Sequence, residues 1–147
     1  KYPSLREEKL ILDRMVSGAE IPVEQVLQPQ ALKGMREVIN EIYMEDKLKD
    51  YILNLVHATR HPERYPRISA MNGLIQYGAS PRATIYLARA AKAHAYLEHR
   101  GYVIPDDIKA IGKDLLRHRI ILSYEAEAEQ VSCEELITRI FDEIEVP

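Results

Sequence analysis

Gly78-Ala79-Ser80-Pro81-Arg82-Ala83 sets a cation where helix physics disfavours one. Ser80 is a strong N-cap residue and Pro81 suits the first helical position, so a helix starts here. Arg82 then falls in the first turn, at the positive end of the helix dipole. The first-turn amides also point outward without intrahelical partners. An arginine beside free amides is the donor set of an anion site, and a phosphate is an anion it suits. On local grounds a second reading stands beside this one, in which Arg82 is a solvated surface charge that tolerates the dipole.

Other residue patterns carry less. Gly73 and Gly78 have the G-x-x-x-x-G spacing of a phosphate-binding loop, but Ala79 stands where that motif needs Lys. Gly78-Ala79-Ser80 resembles half of a nucleophile elbow, whose next residue must donate its backbone N–H; Pro81 has none, which excludes a serine hydrolase of that type. His57 and His61 lie four apart, on one helix face, yet Pro62 frays that helix and no third ligand is evident, so no metal site is expected. His94 and His99 do not share a face. Arg89, Lys92 and Arg117-His118-Arg119 suit solvated or dipole-matched positions. Asp106 and Asp107 are expected to do no more than stabilise a helix N-terminus. The nine tyrosines are expected to pack with their hydroxyls at the surface.

The elements that must position these residues are helical. With 147 residues, 46% of them apolar and 29% charged, the chain has the makings of one domain, residues 1–147. A net charge of −3 gives no electrostatic footprint for nucleic acid. No apolar run is long enough for a bilayer span and no signal peptide opens the chain. The lone Cys133 cannot form an internal disulfide, and a cytoplasmic location is expected. The opening Lys1-Tyr2-Pro3-Ser4, without Met, suggests a piece of something longer.

Ser4-Leu5-Arg6-Glu7 predicts a capping box and a helix that stops at Ser17-Gly18, with Leu5, Leu12, Met15 and Val16 on one side. A connector from Ala19 to Gln28 holds an extended candidate at Gln25-Val26-Leu27. A second helix, from Pro29 to Ile42, is expected to bury Leu32, Met35, Ile39 and Ile42. A third starts near Asp46 with Leu48, Tyr51, Ile52, Leu55, Val56 and Thr59 in register. His61 to Ala79 shows no periodicity and predicts a long connection. The Ser80 helix runs to Arg100, closes on Gly101, and is alanine-rich enough to lie at the centre. Pro105-Asp106-Asp107 opens another, and Ser132-Cys133-Glu134-Glu135 caps the last. Ile120-Ile121-Leu122 is a short strand candidate for pairing with Gln25 to Leu27. The expected fold is an all-α bundle of five to seven helices with at most one minor strand pair.

Gly78-Ala79-Ser80-Pro81-Arg82-Ala83, with Tyr102-Val103-Ile104-Pro105-Asp106-Asp107-Ile108 and Leu116-Arg117-His118-Arg119, resembles the C-terminal lid of MoxR-family AAA+ ATPases. Ala58-Thr59-Arg60 and Tyr2-Pro3-Ser4 through Glu7-Glu8 resemble the same family, so the likeness covers nearly the whole chain. Ile104 departs from the pattern, which has a Ser or Thr cap there, and the segment from Pro62 to Gln76 matches little.

The resemblance implies a small helical lid that follows an α/β ATPase core, with the Walker motifs, sensor 1 and arginine finger all on that core. It implies that Arg82 is the sensor 2 arginine, the catalytic contact to the nucleotide phosphates. Ser80, Pro81 and Arg82 would bind ATP, with Tyr2 and Pro3 at the core–lid hinge near the adenine and Mg held by the core. It further implies a homo-oligomeric ring, a chaperone-like role in assembly and von Willebrand factor A domain partners. Alone, the chain would not hydrolyse ATP. The competing function is a free-standing helical interaction or regulatory module in which Arg82 is only surface charge.

Overall fold

The computed structural model describes residues 2–18 and 22–147. The chain divides into two compact units, residues 1–32 and 33–147.

The first unit contains α1 (Leu5–Val16). Ser4 Oγ accepts from Glu7 N at 3.4 Å while Ser4 N donates to Glu7 Oε2 at 2.7 Å, the reciprocal capping box expected there. Leu5, Leu12, Met15 and Val16 are all exposed. The expected strand at residues 25–27 does not form, and Val26 is exposed. Residues 19–21 of the predicted connector, like Lys1, lie outside the described residues.

The unit boundary falls within α2 (Pro29–Glu41). Its expected core face is mostly wet: Leu32 is exposed, Met35 and Ile39 are half-buried, and only Ile42, just past its end, is buried. From there the second unit is built on α3 (Asp46–Ala58), α4 (Pro81–Leu97), α5 (Pro105–Leu116), α6 (Tyr124–Ala128) and α7 (Cys133–Glu143), giving seven α-helices among the described residues. The stripe predicted on α3 is buried throughout, from Leu48 to Thr59. Ala83, Leu87, Ala91 and Ala95 repeat every four residues along α4 and are all fully buried. The three small alanines let α3 and α5 close on α4, which is therefore central. α5 meets α7 most tightly at Gly112, where an added Cβ would stand 2.2 Å from Phe141 Cζ. Tyr51 departs from the surface-hydroxyl expectation: it is buried and its hydroxyl has no partner among the described residues.

The strand pair has one expected member and one unexpected. β2 (Ile121–Leu122) pairs antiparallel with β1 (Ile75–Tyr77), matching Ile75 to Leu122 and Tyr77 to Ile121. Ser123 N extends the contact by donating to Leu74 O at 3.0 Å. β1 lies inside the segment predicted to be a plain connection. That segment also holds two single 3-10 turns, Pro62–Arg64 and Ser69–Met71. Pro62, Ile68, Met71 and Leu74 anchor it in the core. Elements of three residues are too short to leave a period in the sequence.

α4 also ends differently from expectation. The left-handed position belongs to His99, with φ of 56°, and not to Gly101. Arg100 N donates to Ala95 O at 2.9 Å and His99 N to Tyr96 O at 3.0 Å, so the helix closes around His99. Gly101 instead presents its carbonyl to Tyr43 N at 2.9 Å, beside the bridge between Tyr43 and Tyr102.

Candidate functional site

The N-terminus of α4 is held by the C-terminus of α3. Thr59, the residue that ends α3, is fully buried; its Oγ1 donates to Val56 O at 2.7 Å and accepts from Ala79 N at 2.9 Å. Gly78 runs so close alongside that an added Cβ would stand 2.3 Å from Thr59 O and 2.7 Å from Arg60 Cγ. Only glycine allows that approach. Two stretches singled out in the sequence, Ala58-Thr59-Arg60 and Gly78-Ala79-Ser80, thus meet across a gap of 20 residues in sequence.

Beyond this anchor the chain enters α4 with little freedom. Ser80 is extended, with φ of −70° and ψ of 163°, as a residue before proline prefers. Pro81 fills the first helical position. The expected side-chain cap is absent: Ser80 makes no cap hydrogen bond with its hydroxyl, and its carbonyl accepts from Ala83 N at 2.8 Å instead. The extended backbone supplies the helix start, and the hydroxyl is left for another partner. Arg82 is exposed and takes part in none of the salt bridges found among the described residues.

The electrostatics of this helix end are unusual within the molecule. α1, α3, α5, α6 and α7 all carry acidic residues in their first turn, which oppose the positive end of the dipole. α2 and α4 carry none; α1 also has an arginine there, Arg6, but beside Glu7 and Glu8, so only α4 has a first-turn arginine with no acid in the same turn. The Ser80 hydroxyl, the Arg82 N–H and the Arg82 guanidinium form a donor-rich end with no carboxylate from its own turn, Pro81 having no N–H and Ala83 N–H being taken by Ser80 O. That set is chemically suited to a phosphate group.

α5 begins with the opposite arrangement, and Asp107 does more there than the dipole stabilisation expected of it. Asp107 is completely buried. Its carboxylate accepts from Ile104 N at 2.8 Å, from Arg100 Nη1 at 2.8 Å and lies 2.7 Å from His94 Nδ1; Arg100 Nη2 makes a further contact. Burial alone would raise the Asp107 pKa, but the Arg100 guanidinium, the Ile104 N–H and His94 outweigh it and hold the carboxyl at about 2. Asp107 is therefore the hub that joins the end of α4 to the start of α5, rather than a simple dipole counter-charge. Half a capping box was the available signal: an apolar Ile104 at the cap position with Asp three residues on.

The remaining candidates have surroundings of their own. Tyr2 and Pro3 belong to the first unit, where they line a shallow cleft with Glu7, Leu10 and Ile11, and Tyr2 is fully exposed. His57 and His61 lie with ring centroids 4.8 Å apart. His57 Nδ1 is 3.1 Å from Tyr65 Oη, and His61 Nδ1 is 3.2 Å from Glu63 Oε1. Arg119 stacks over the Tyr86 ring at 5.6 Å from its centroid, and Arg117 pairs with Asp114 and Glu134. No helix among the described residues is long and apolar enough to cross a membrane.

Comparison with known proteins places this geometry in a family. The AAA lid domain family matches residues 68–140, which include α4, α5 and the two strands. Chaperone MoxR1 of Mycobacterium tuberculosis is 35% identical over 147 residues, covering 99% of this chain and 38% of that protein. Protein MoxR of Methylorubrum extorquens is 36% identical over 112 residues, covering 72% of this chain and 32% of that protein. A solved structure of a putative ATPase from Cytophaga hutchinsonii superimposes with a TM-score of 0.86 at 39% identity, over 100% of this chain and 44% of that one. The chain thus spans less than half the length of these relatives.

Proposed function

The chain belongs to the AAA lid domains of MoxR-type proteins, and on that premise we propose that it serves, across residues 1–147, as the lid of an AAA+ ATPase. Arg82 is the sensor 2 arginine of this reading. It contacts the phosphates of ATP bound to the ATPase core of the same polypeptide, with Ser80 and Pro81 shaping the helix end beside it. Tyr2 and Pro3 lie at the hinge to the core, on the adenine side. The core holds Mg, and ATP supplies the phosphoryl group whose negative charge a positioned arginine stabilises. Movement of the lid couples nucleotide state to the arrangement of subunits in a homo-oligomeric ring. The ring acts in a chaperone-like way in assembling other proteins, with von Willebrand factor A domain proteins as partners and the cytoplasm as its location.

The observation that carries this reading is the state of Arg82: exposed, without an ion-pair partner among the described residues, in a first turn with no acid. A cation in that place opposes the helix dipole. A polyphosphate resolves the conflict, because its oxygens would accept from the guanidinium and the helix end together.

The test is ATP turnover by the whole protein that contains this chain. Arg82→Ala is expected to lower turnover by about ten-fold or more. Arg89→Ala, on an exposed part of the same helix, is the control and has a much smaller effect. Unchanged turnover in Arg82→Ala would leave Arg82 as surface charge.

A further inference from the structure

We propose that Thr59 is a positioning residue for Arg82, fixing the backbone from which its side chain reaches out through a hydrogen-bonded latch between the end of α3 and the start of α4. The inference rests on the phosphate-contact reading of Arg82 and adds the residue through which the fold aims it.

Thr59 uses both capacities of its hydroxyl. The proton goes to Val56 O at 2.7 Å, which fixes the rotamer, and a lone pair then receives Ala79 N–H at 2.9 Å. Both groups are fully buried, so water is not available to replace either bond. Gly78 presses the same strip of chain onto Thr59 O, and a side chain there would collide with backbone. The latch therefore pins residues 78 and 79 in position as well as in hydrogen bonding.

From the pinned amide to Arg82 the chain has few soft torsions. The proline ring fixes φ of Pro81 near −65°. Steric conflict with that ring confines Ser80 to the extended region where it is found. From Pro81 onward the torsions are helical. A displacement of Ala79 is thus passed nearly undiminished to the Arg82 backbone, the base from which the guanidinium reaches. Misplacing a catalytic group by about 1 Å can cost on the order of a hundred-fold in rate, so the latch has a route to activity without touching nucleotide.

A double-mutant cycle on the whole protein separates positioning from general stability. Thr59→Val keeps the shape of the side chain and removes the hydroxyl. It is expected to lower ATP turnover at saturating ATP by about five-fold or more, while Thr59→Ser, which keeps the hydroxyl, retains most of it. In an Arg82→Ala background the same Thr59→Val change is expected to cause little further loss, because the residue it aims is gone. If Thr59→Val yields no folded protein, Thr59→Ala takes its place with the same expectation.

Wild-type turnover in the hydroxyl-free variant would overturn the proposal. So would an equal loss in both backgrounds, which marks a purely structural role. Arg82→Ala alone judges the underlying reading: wild-type turnover there removes the phosphate contact, and the aiming role falls with it. A loss in Arg82→Ala combined with no loss in Thr59→Val removes only the latch.

Discussion

The N-termini of α4 and α5 share a plan and differ in what completes it. Each helix follows an extended residue, Ser80 or Ile104, both with ψ of 163°, and each opens with proline. Neither cap residue donates or accepts through its side chain. At α5 the third helical residue, Asp107, turns inward and is satisfied by Arg100, His94 and the Ile104 N–H. At α4 the second helical residue, Arg82, turns outward and meets no carboxylate among the described residues. The closed end joins two helices, whereas the open end is free to meet something outside the chain. Asp107 has its charge answered within the molecule, whereas Arg82 has no answering charge among the described residues.

The sharpest way to break this contrast is to remove the closing charge. Asp107→Ala strands Arg100 beside a buried gap and is expected to destabilise the chain by about 3 kcal/mol, read from chemical denaturation. A loss below about 1 kcal/mol would show that the hub is no more than a surface pair.

Acid titration examines the same group without mutation. The Asp107 pKa falls from 3.8 to about 2 on folding. A depressed carboxyl pKa contributes stability that is fully present above the unfolded value and is lost as pH falls through the folded one. Stability should therefore drop between about pH 4 and pH 2, with a contribution from Asp107 on the order of 2 kcal/mol. Asp107→Asn should lack that contribution, and an unchanged acid limb in this variant would remove Asp107 as its source.

The smallest effects belong to the open end. Ser132 Oγ accepts from Glu135 N at 3.2 Å, so Ser132→Ala should cost about 1 kcal/mol in denaturation. Ser80 makes no such bond, and Ser80→Ala should stay well below that value. Arg82→Ala should leave stability unchanged or slightly raised, by at most the ~0.3–1 kcal/mol of an exposed charge–dipole contact. Unfolding of the chain by Arg82→Ala would show a structural partner and defeat the contrast.

The contrast also separates what was legible in the sequence from what was not. The α3 stripe and the capping boxes at Ser4 and Ser132 depend on residues three and four apart, and they are found where expected. The placement of Arg82 was legible for the same reason, since Ser-Pro-Arg fixes a helix start within three residues. Asp107 was misjudged because its partners lie 7 and 13 residues away, across a turn that closes on His99 rather than Gly101. The Thr59–Ala79 bond spans 20 residues, and only the bare Gly78 hints at the close approach. Pairing of Ile121–Leu122 with β1 was missed because Gln25-Val26-Leu27 looked like the better strand, although its propensity could not supply a partner.

The most direct test is a structure of the whole protein with a non-hydrolysable ATP analogue bound. The Arg82 guanidinium is expected within hydrogen-bonding distance of a phosphate oxygen, with the Thr59–Ala79 bond intact. Arg82 facing solvent while nucleotide occupies the core, or paired with a carboxylate instead, would contradict the phosphate contact.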